Sequence, residues 1–101
     1  EAACVGKTED QCKGEEIAYT TRKGFYRANG KALSMEETEG MIKILFAEDG
    51  TILGAHCFGA HSADLIQEVA ALMNCNAKLE QIRDIIHIHP TLGEILQDAL
   101  I

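Results

Sequence analysis

The sequence is poor in several features that mark common protein classes. Its 101 residues include one proline and no tryptophan. No apolar run approaches the ~20 residues that a membrane-spanning helix needs. No basic-then-apolar leader for secretion is visible either. The length fits one domain, and the 47% of apolar residues is enough for one modest core.

Positive charge is also scarce. The chain carries 16 acidic and 9 basic residues, a formal net charge of −7 at pH 7. Nucleic-acid binding requires a basic surface that displaces counterions from phosphates, and anionic membranes attract basic segments. The charge balance therefore argues against both kinds of partner.

The sequence has no paired-cysteine motif. Cys4, Cys12, Cys57 and Cys75 are too far apart for a C-x-x-C pair, which argues against a zinc ribbon or a thioredoxin-type redox motif. We expect four free thiols in a cytoplasmic protein. No two histidines have i, i+4 spacing, so no metal site is predicted. The fingerprints of dinucleotide, P-loop and serine-hydrolase sites are also missing.

The hydrophobic pattern places strands before helices. Val, Ile and aromatic runs predict strands, and the Asp49-Gly50 pair predicts a hairpin turn. Thr8 and Thr91 each begin a capping box, and Ser62 or His61 would cap a further helix. The predicted strands are 2–5, 17–21, 41–47 and 51–58, the helices 9–13, 62–74, 78–86 and 91–101, and the long loop 24–40. This order predicts an α+β domain, an antiparallel β-sheet with helices packed on it.

The segment HIHPTLGE, residues 87–94, is the main candidate for chemistry. His89 precedes the only proline, which disfavours helical backbone at the histidine and permits a cis bond. Glu94 lies on the first turn of the following predicted helix. Its carboxylate could accept a hydrogen bond from one ring nitrogen of His89 and make the other nitrogen more basic. Such a pair is the outline of a general acid/base.

A purely structural interpretation of these residues remains open. Thr91 and Glu94 also form an ordinary capping box, and proline is common at helix starts. His87 lies in an apolar segment and is expected to be packed, whereas His56 in a strand is expected to be structural.

Beyond these patterns, four stretches carry a family resemblance. HIHPTLGE resembles the C-terminal H-x-H-P-T-L-S-E signature of the pyridine nucleotide–disulfide oxidoreductases, and is most similar to their dihydrolipoamide dehydrogenase branch. FGAHSADLIQE (58–68), ANGKALSMEETEGMIKIL (28–45) and the opening EAACVGKTEDQ are similar to other regions of the same family. The sequence departs from the family pattern at Ala60, Asp64, Lys78 and Gly93.

The resemblance implies that residues 1–101 are one C-terminal interface, or dimerisation, domain. The FAD- and NAD-binding domains of the parent enzyme would be absent from this chain, which would be inactive alone. The parent would be a homodimer that oxidises dihydrolipoamide. His89 would be the acid/base in the partner subunit's active site, and Glu94 its orienting carboxylate. The resemblance also implies a cis peptide between His89 and Pro90.

The family's redox disulfide lies in its FAD domain, so the four cysteines here are not expected to form it. Two alternatives stay open: a stand-alone dimerisation module without catalysis, and the same domain of a glutathione reductase-like enzyme. In either case, the helical ranges 62–73 and 91–101 are expected to expose apolar area to a partner.

Overall fold

A computed structural model describes all 101 residues. They form a four-stranded antiparallel sheet of order β1-β4-β3-β2, which confirms the predicted α+β class. The elements in chain order are β1 Ala2–Gly6, α1 Glu9–Gly14, β2 Tyr19–Phe25, a 3₁₀ turn Tyr26–Ala28, α2 Gly30–Ser34, β3 Met41–Ala47, β4 Ile52–Phe58, α3 Ser62–Asn74, α4 Leu79–Arg83 and α5 Glu94–Ala99. No helix is both long and apolar enough to cross a membrane.

The β3–β4 hairpin forms the centre of the sheet, as its sequence predicts. Gly50 adopts φ +90° in the connecting turn, a backbone conformation that glycine reaches without a steric penalty. Ile44 pairs with Ala55, and a register shift between Leu45 and Phe46 interrupts the ladder near the turn. This hairpin aligns one row of buried side chains for the helices to cover.

The core lies between the sheet and the two helices α3 and α5. Alternate residues of a strand face opposite sides of the sheet, so Ile42 and Ile44 face the core while Lys43 faces away. The Lys43 ammonium forms an ion pair of 2.9 Å with Glu9 of α1. Helix α1 therefore contacts the opposite face of the sheet, near its centre.

The prediction of a long loop at 24–40 is wrong in two places. Strand β2 continues to Phe25, and α2 occupies 30–34. The Asn29-Gly30 pair, inside the predicted loop, starts a helix, because the Asn29 side-chain oxygen accepts a 2.8 Å hydrogen bond from the Ala32 amide. Tyr26 is fully buried before this helix, and its hydroxyl donates to the Ala60 carbonyl at 2.6 Å.

Two predicted helix boundaries in the C-terminal third also need correction. Helix α4 ends at Arg83 instead of continuing to residue 86. The residues that follow include the β-branched Ile85, Ile86 and Ile88, whose restricted side chains disfavour helix. Helix α5 begins at Glu94 rather than just after residue 91.

The prediction that the Ser62 or His61 side chain caps α3 is wrong for both residues. His61 occupies the N-cap position, but its side chain makes no capping hydrogen bond. The Glu1 carboxylate accepts the 2.8 Å hydrogen bond from the Ala63 amide instead, and it also accepts a longer one from the Ser62 hydroxyl. The Ala63 amide lowers the pKa of Glu1. A residue 62 positions away in sequence thus supplies the cap.

Most of the exposed large apolar side chains lie outside the two ranges where they were expected, 62–73 and 91–101. Within 62–73 and 91–101, only Ile101 is a large hydrophobic residue that is strongly exposed. The other exposed large hydrophobic residues are Leu33, Phe58, Ile86 and Ile88. Two of these, Ile86 and Ile88, lie in the segment that carries His89.

Candidate functional site

The site is carried by the connecting segment, residues 84–93, which joins α4 to α5 without regular secondary structure. The peptide bond between His89 and Pro90 is cis, as the resemblance implied. The His89 side chain is 78% exposed, so the segment presents its ring at the surface.

His89 and Glu94 form the pair that their spacing predicts. The His89 Nδ1 atom lies 2.9 Å from Oε1 and 3.0 Å from Oε2 of Glu94. An ionised carboxylate can only accept hydrogen bonds, so Nδ1 must carry a proton. In the neutral ring, Nε2 then holds the free lone pair. The geometry suits proton uptake at Nε2, followed by stabilisation of the charged ring by the carboxylate.

Glu94 is itself held by the backbone of the connecting segment. The Thr91 amide donates to Glu94 Oε1 at 3.1 Å, so this oxygen accepts two hydrogen bonds. The Thr91 amide is the main cause of a lowered pKa of Glu94, and the hydrogen bond from His89 lowers it further. The lowered pKa favours the ionised form that the pairing requires.

Only half of the capping box predicted at Thr91 is present. The Glu94 carboxylate reaches back to the Thr91 amide, but the Thr91 hydroxyl donates to the Ile88 carbonyl at 2.6 Å. The Thr91 carbonyl accepts a 3.0 Å hydrogen bond from the Asn29 side-chain amide. Glu94 therefore serves both as a helix-start acceptor and as the partner of His89, so the two interpretations of this residue are compatible.

His87 is packed, as expected, but it also has a partner that was not predicted. Its side chain is 7% exposed, and its Nε2 lies 2.6 Å from Oε2 of Glu68 on α3. One sequence signal could have identified Glu68. It falls three residues after Leu65 and four before Leu72, on the apolar stripe of α3, where an acidic residue requires a partner.

The remaining histidines and the cysteines do not join the site. His56 has a structural contact, as predicted: its Nε2 lies 3.1 Å from the Lys7 carbonyl. All four cysteines are free, with Cys4 and Cys75 exposed and Cys12 and Cys57 buried. The structure brings together no group of three or more His, Cys, Asp or Glu side chains that could hold a metal ion.

The lowered pKa of Glu94 predicts a specific loss of stability in acid. Because its folded pKa is lowered, Glu94 contributes stability above the ordinary value of 4.5 and loses that contribution as pH falls through the folded pKa. Urea unfolding at a series of pH values measures this effect. The free energy of unfolding should fall more steeply with decreasing pH for wild type than for Glu94→Gln.

A matched control for this experiment is Glu80→Gln. Glu80 is an exposed glutamate in the first turn of α4. The Glu80→Gln variant should follow the wild-type acid decline. If the free energy of unfolding fell equally with pH for wild type and Glu94→Gln, the result would contradict the hydrogen bonds described for Glu94.

The antiparallel sheet with helices packed on it and the exposed His89–Glu94 pair form the arrangement that the family resemblance implied. The chain belongs to the pyridine nucleotide-disulphide oxidoreductase dimerisation domain family, whose model matches residues 1–100. This membership confirms the resemblance that the four sequence stretches indicated.

Curated relatives agree with this assignment. The chain is 39% identical over 104 residues to a dihydrolipoyl dehydrogenase of Synechocystis, and 42% identical over 100 residues to one of Bacillus subtilis. Each alignment covers 98% of this chain but only 22% and 21%, respectively, of the relatives. The chain thus spans about one fifth of the length of these enzymes.

Solved structures share the fold. The HOCl-induced flavoprotein disulfide reductase RclA of Escherichia coli superposes with a TM-score of 0.91 at 26% identity, covering 98% of this chain and 23% of that one. LpdA of Mycobacterium tuberculosis gives a TM-score of 0.89 at 20% identity, over 98% of this chain and 22% of that one. At 20% identity, the similarity to LpdA shows a shared fold and nothing more.

Proposed function

We propose that this chain is the interface domain of a flavin-dependent dihydrolipoyl dehydrogenase, which oxidises dihydrolipoamide with NAD⁺. The observation that carries the proposal is the His89–Glu94 pair, with Nδ1 held at 2.9 and 3.0 Å and the ring exposed. The names of the relatives at 39% and 42% identity support the choice of substrate.

The chemistry assigned to this domain is proton transfer. The thiolate, not the thiol, is the nucleophile in thiol–disulfide exchange, so a dithiol substrate must first lose a proton. Nε2 of His89 takes that proton, and the positive charge that develops on the ring is stabilised by the Glu94 carboxylate. The resulting thiolate then attacks the redox disulfide of the parent enzyme: a mixed disulfide forms, the original S–S bond breaks, and its other sulfur leaves as a thiolate.

The residues of this chain do not fit a cofactor site. The chain has no glycine-rich dinucleotide fingerprint, so the FAD and NAD of the proposed parent are bound by its other domains. FAD supplies the redox chemistry there, and this chain supplies the acid/base. The isolated domain is therefore inactive in dithiol oxidation.

The partner in the proposed assembly is an identical subunit. The His89 side chain is 78% exposed at the surface of its own domain, which favours an active site completed by another chain. Ile86 and Ile88 are 92% and 77% exposed beside it. Large exposed apolar residues of this kind mark contact surfaces. His89 would thus act in the active site of the partner subunit.

A substrate comparison on the purified complete polypeptide tests the proposal. We expect bound flavin, a dimer, and NAD⁺-dependent oxidation of dihydrolipoamide that is much faster than reduction of glutathione disulfide by NADPH. A preference for glutathione disulfide would favour the glutathione reductase-like alternative. A polypeptide without flavin or redox activity would favour the stand-alone dimerisation module.

A further inference from the structure

A second imidazole–carboxylate pair lies behind the first. His87 Nε2 is 2.6 Å from Glu68 Oε2, and the two side chains are 7% and 35% exposed. The pair at His89 instead uses Nδ1 and leaves the ring 78% exposed. Two histidines two residues apart therefore have opposite environments, one facing outward and one inward.

The inner ring is not placed to exchange protons with a substrate. Its Nε2 is engaged by Glu68, and its Nδ1 is buried without a hydrogen-bond partner. A general acid or base needs a nitrogen within reach of the reacting group. The role of His87 must therefore depend on what its ring holds in place.

The His87 ring lies near both members of the outer pair without bonding to either. It lies two residues before His89 in the chain. It also packs beside Gly93, the residue before Glu94, where an added Cβ would lie 3.6 Å from the ring atom Cδ2. The hydrogen bond to Glu68 fixes this ring to α3, the longest helix of the domain.

Besides the packing of Ile85 and Leu92 against the core, two other side-chain hydrogen bonds tie the connecting segment to the body of the domain. The Thr91 carbonyl accepts from the Asn29 side chain at 3.0 Å, and the His87 amide donates to Gln97 at a long 3.4 Å. The bond of 2.6 Å to Glu68 is the shortest of the three. Its loss would leave the His87 side chain without a hydrogen bond and this part of the segment, just before His89, with only the long bond to Gln97 and the packing of Ile85.

We infer that Glu68 and His87 are positioning residues, which hold the His89–Glu94 pair in register with the substrate. This inference rests on the proposed function. It assigns no proton transfer to the inner pair. A misplacement of about 1 Å at a reacting group can cost about 100-fold in rate, so a tether of this kind can matter without touching the substrate.

The test uses the complete enzyme with His87→Phe, Glu68→Ala and Glu68→Gln. We expect His87→Phe and Glu68→Ala to lower kcat for dihydrolipoamide oxidation by about 10- to 100-fold, because the tether is lost. Flavin content, dimer formation and the KM for NAD⁺ should not change. Glu68→Gln should restore most of the rate, since its amide oxygen still accepts from Nε2.

The control variant is Asp64→Asn on the same helix. It removes an exposed contact of 3.6 Å with His61 that does not involve the connecting segment, and it should keep the wild-type kcat. A wild-type kcat for both His87→Phe and Glu68→Ala would overturn the inference. So would a Glu68→Gln enzyme as slow as Glu68→Ala, because the hydrogen bond would then not be the cause.

His89→Gln in the same assay separates this inference from the proposed function. If His89→Gln is nearly inactive while His87→Phe is normal, only the positioning role fails. If His89→Gln turns over normally, the acid/base assignment itself fails. Should His87→Phe fold poorly, the two Glu68 variants still decide the question, because the Glu68 side chain is partly exposed and its replacement disturbs the core less.

Discussion

Replacement of His89 by glutamine in the complete enzyme should lower kcat for dihydrolipoamide oxidation by about 10²- to 10⁴-fold, the usual contribution of a positioned acid/base. Glutamine keeps a polar side chain of similar size but cannot take up a proton at neutral pH. Steady-state assays with dihydrolipoamide and NAD⁺ measure the effect. Flavin content and dimer formation should stay normal, because the ring is exposed and forms no part of the core.

Mixed dimers provide the sharper control. Subunits with His89→Gln would be reassorted with subunits whose redox disulfide has been removed by cysteine-to-serine substitution. Each mixed dimer contains one site with both an intact disulfide and an intact histidine from the partner, so activity should return. Each parent homodimer alone should stay inactive. Failure of mixed dimers to recover activity would contradict the assignment of His89 to the partner subunit's active site.

The outer pair could be predicted from sequence because its determinants are local. His89 and Glu94 are five residues apart, and the intervening proline and helix start fix their relative position. The supporting contacts could not be predicted in the same way. Glu68 is 19 residues from His87, and Asn29 is 62 residues from Thr91, so only the tertiary fold brings them together.

The fold shows the same division between local and distant causes. The β3–β4 hairpin follows from two apolar runs and a strong turn signal, and α3 follows from its apolar stripe. The start of α3 depends on Glu1, which the pairing of β1 with β4 places beside it. Helix α2 was missed because Asn29-Gly30 is typical of turns as well as of helix starts, and burial of Ala32 decides between them.

Glu94 links the fold to the proposed chemistry. Its carboxylate satisfies the Thr91 amide where α5 begins and holds the His89 ring in one tautomer. Any change that shifts α5 therefore shifts the proposed acid/base. The position of α5 depends in turn on one glycine of the sheet beneath it.

Replacement of Gly24 by valine should displace α5 and destabilise the domain by about 3 kcal/mol, at the upper end of the usual cost of overpacking. A Cβ at Gly24 would lie 2.5 Å from the Ile95 carbonyl oxygen and 3.2 Å from the Ala99 side chain. The nearest atom belongs to the backbone, so rotation of a side chain cannot relieve the clash. Valine favours strands, so local propensity cannot explain a loss of stability. Urea unfolding of the 101-residue chain, followed by circular dichroism, measures the change.

The matched control for Gly24→Val is Gly30→Ala at the start of α2, where an added Cβ meets no atom within 4 Å. It should leave the free energy of unfolding unchanged or raise it slightly, since alanine is favoured over glycine in helices. In the complete enzyme, Gly24→Val should also lower kcat, because Glu94 directly precedes the displaced Ile95. A Gly24→Val chain as stable as wild type would show that α5 does not pack directly on β2.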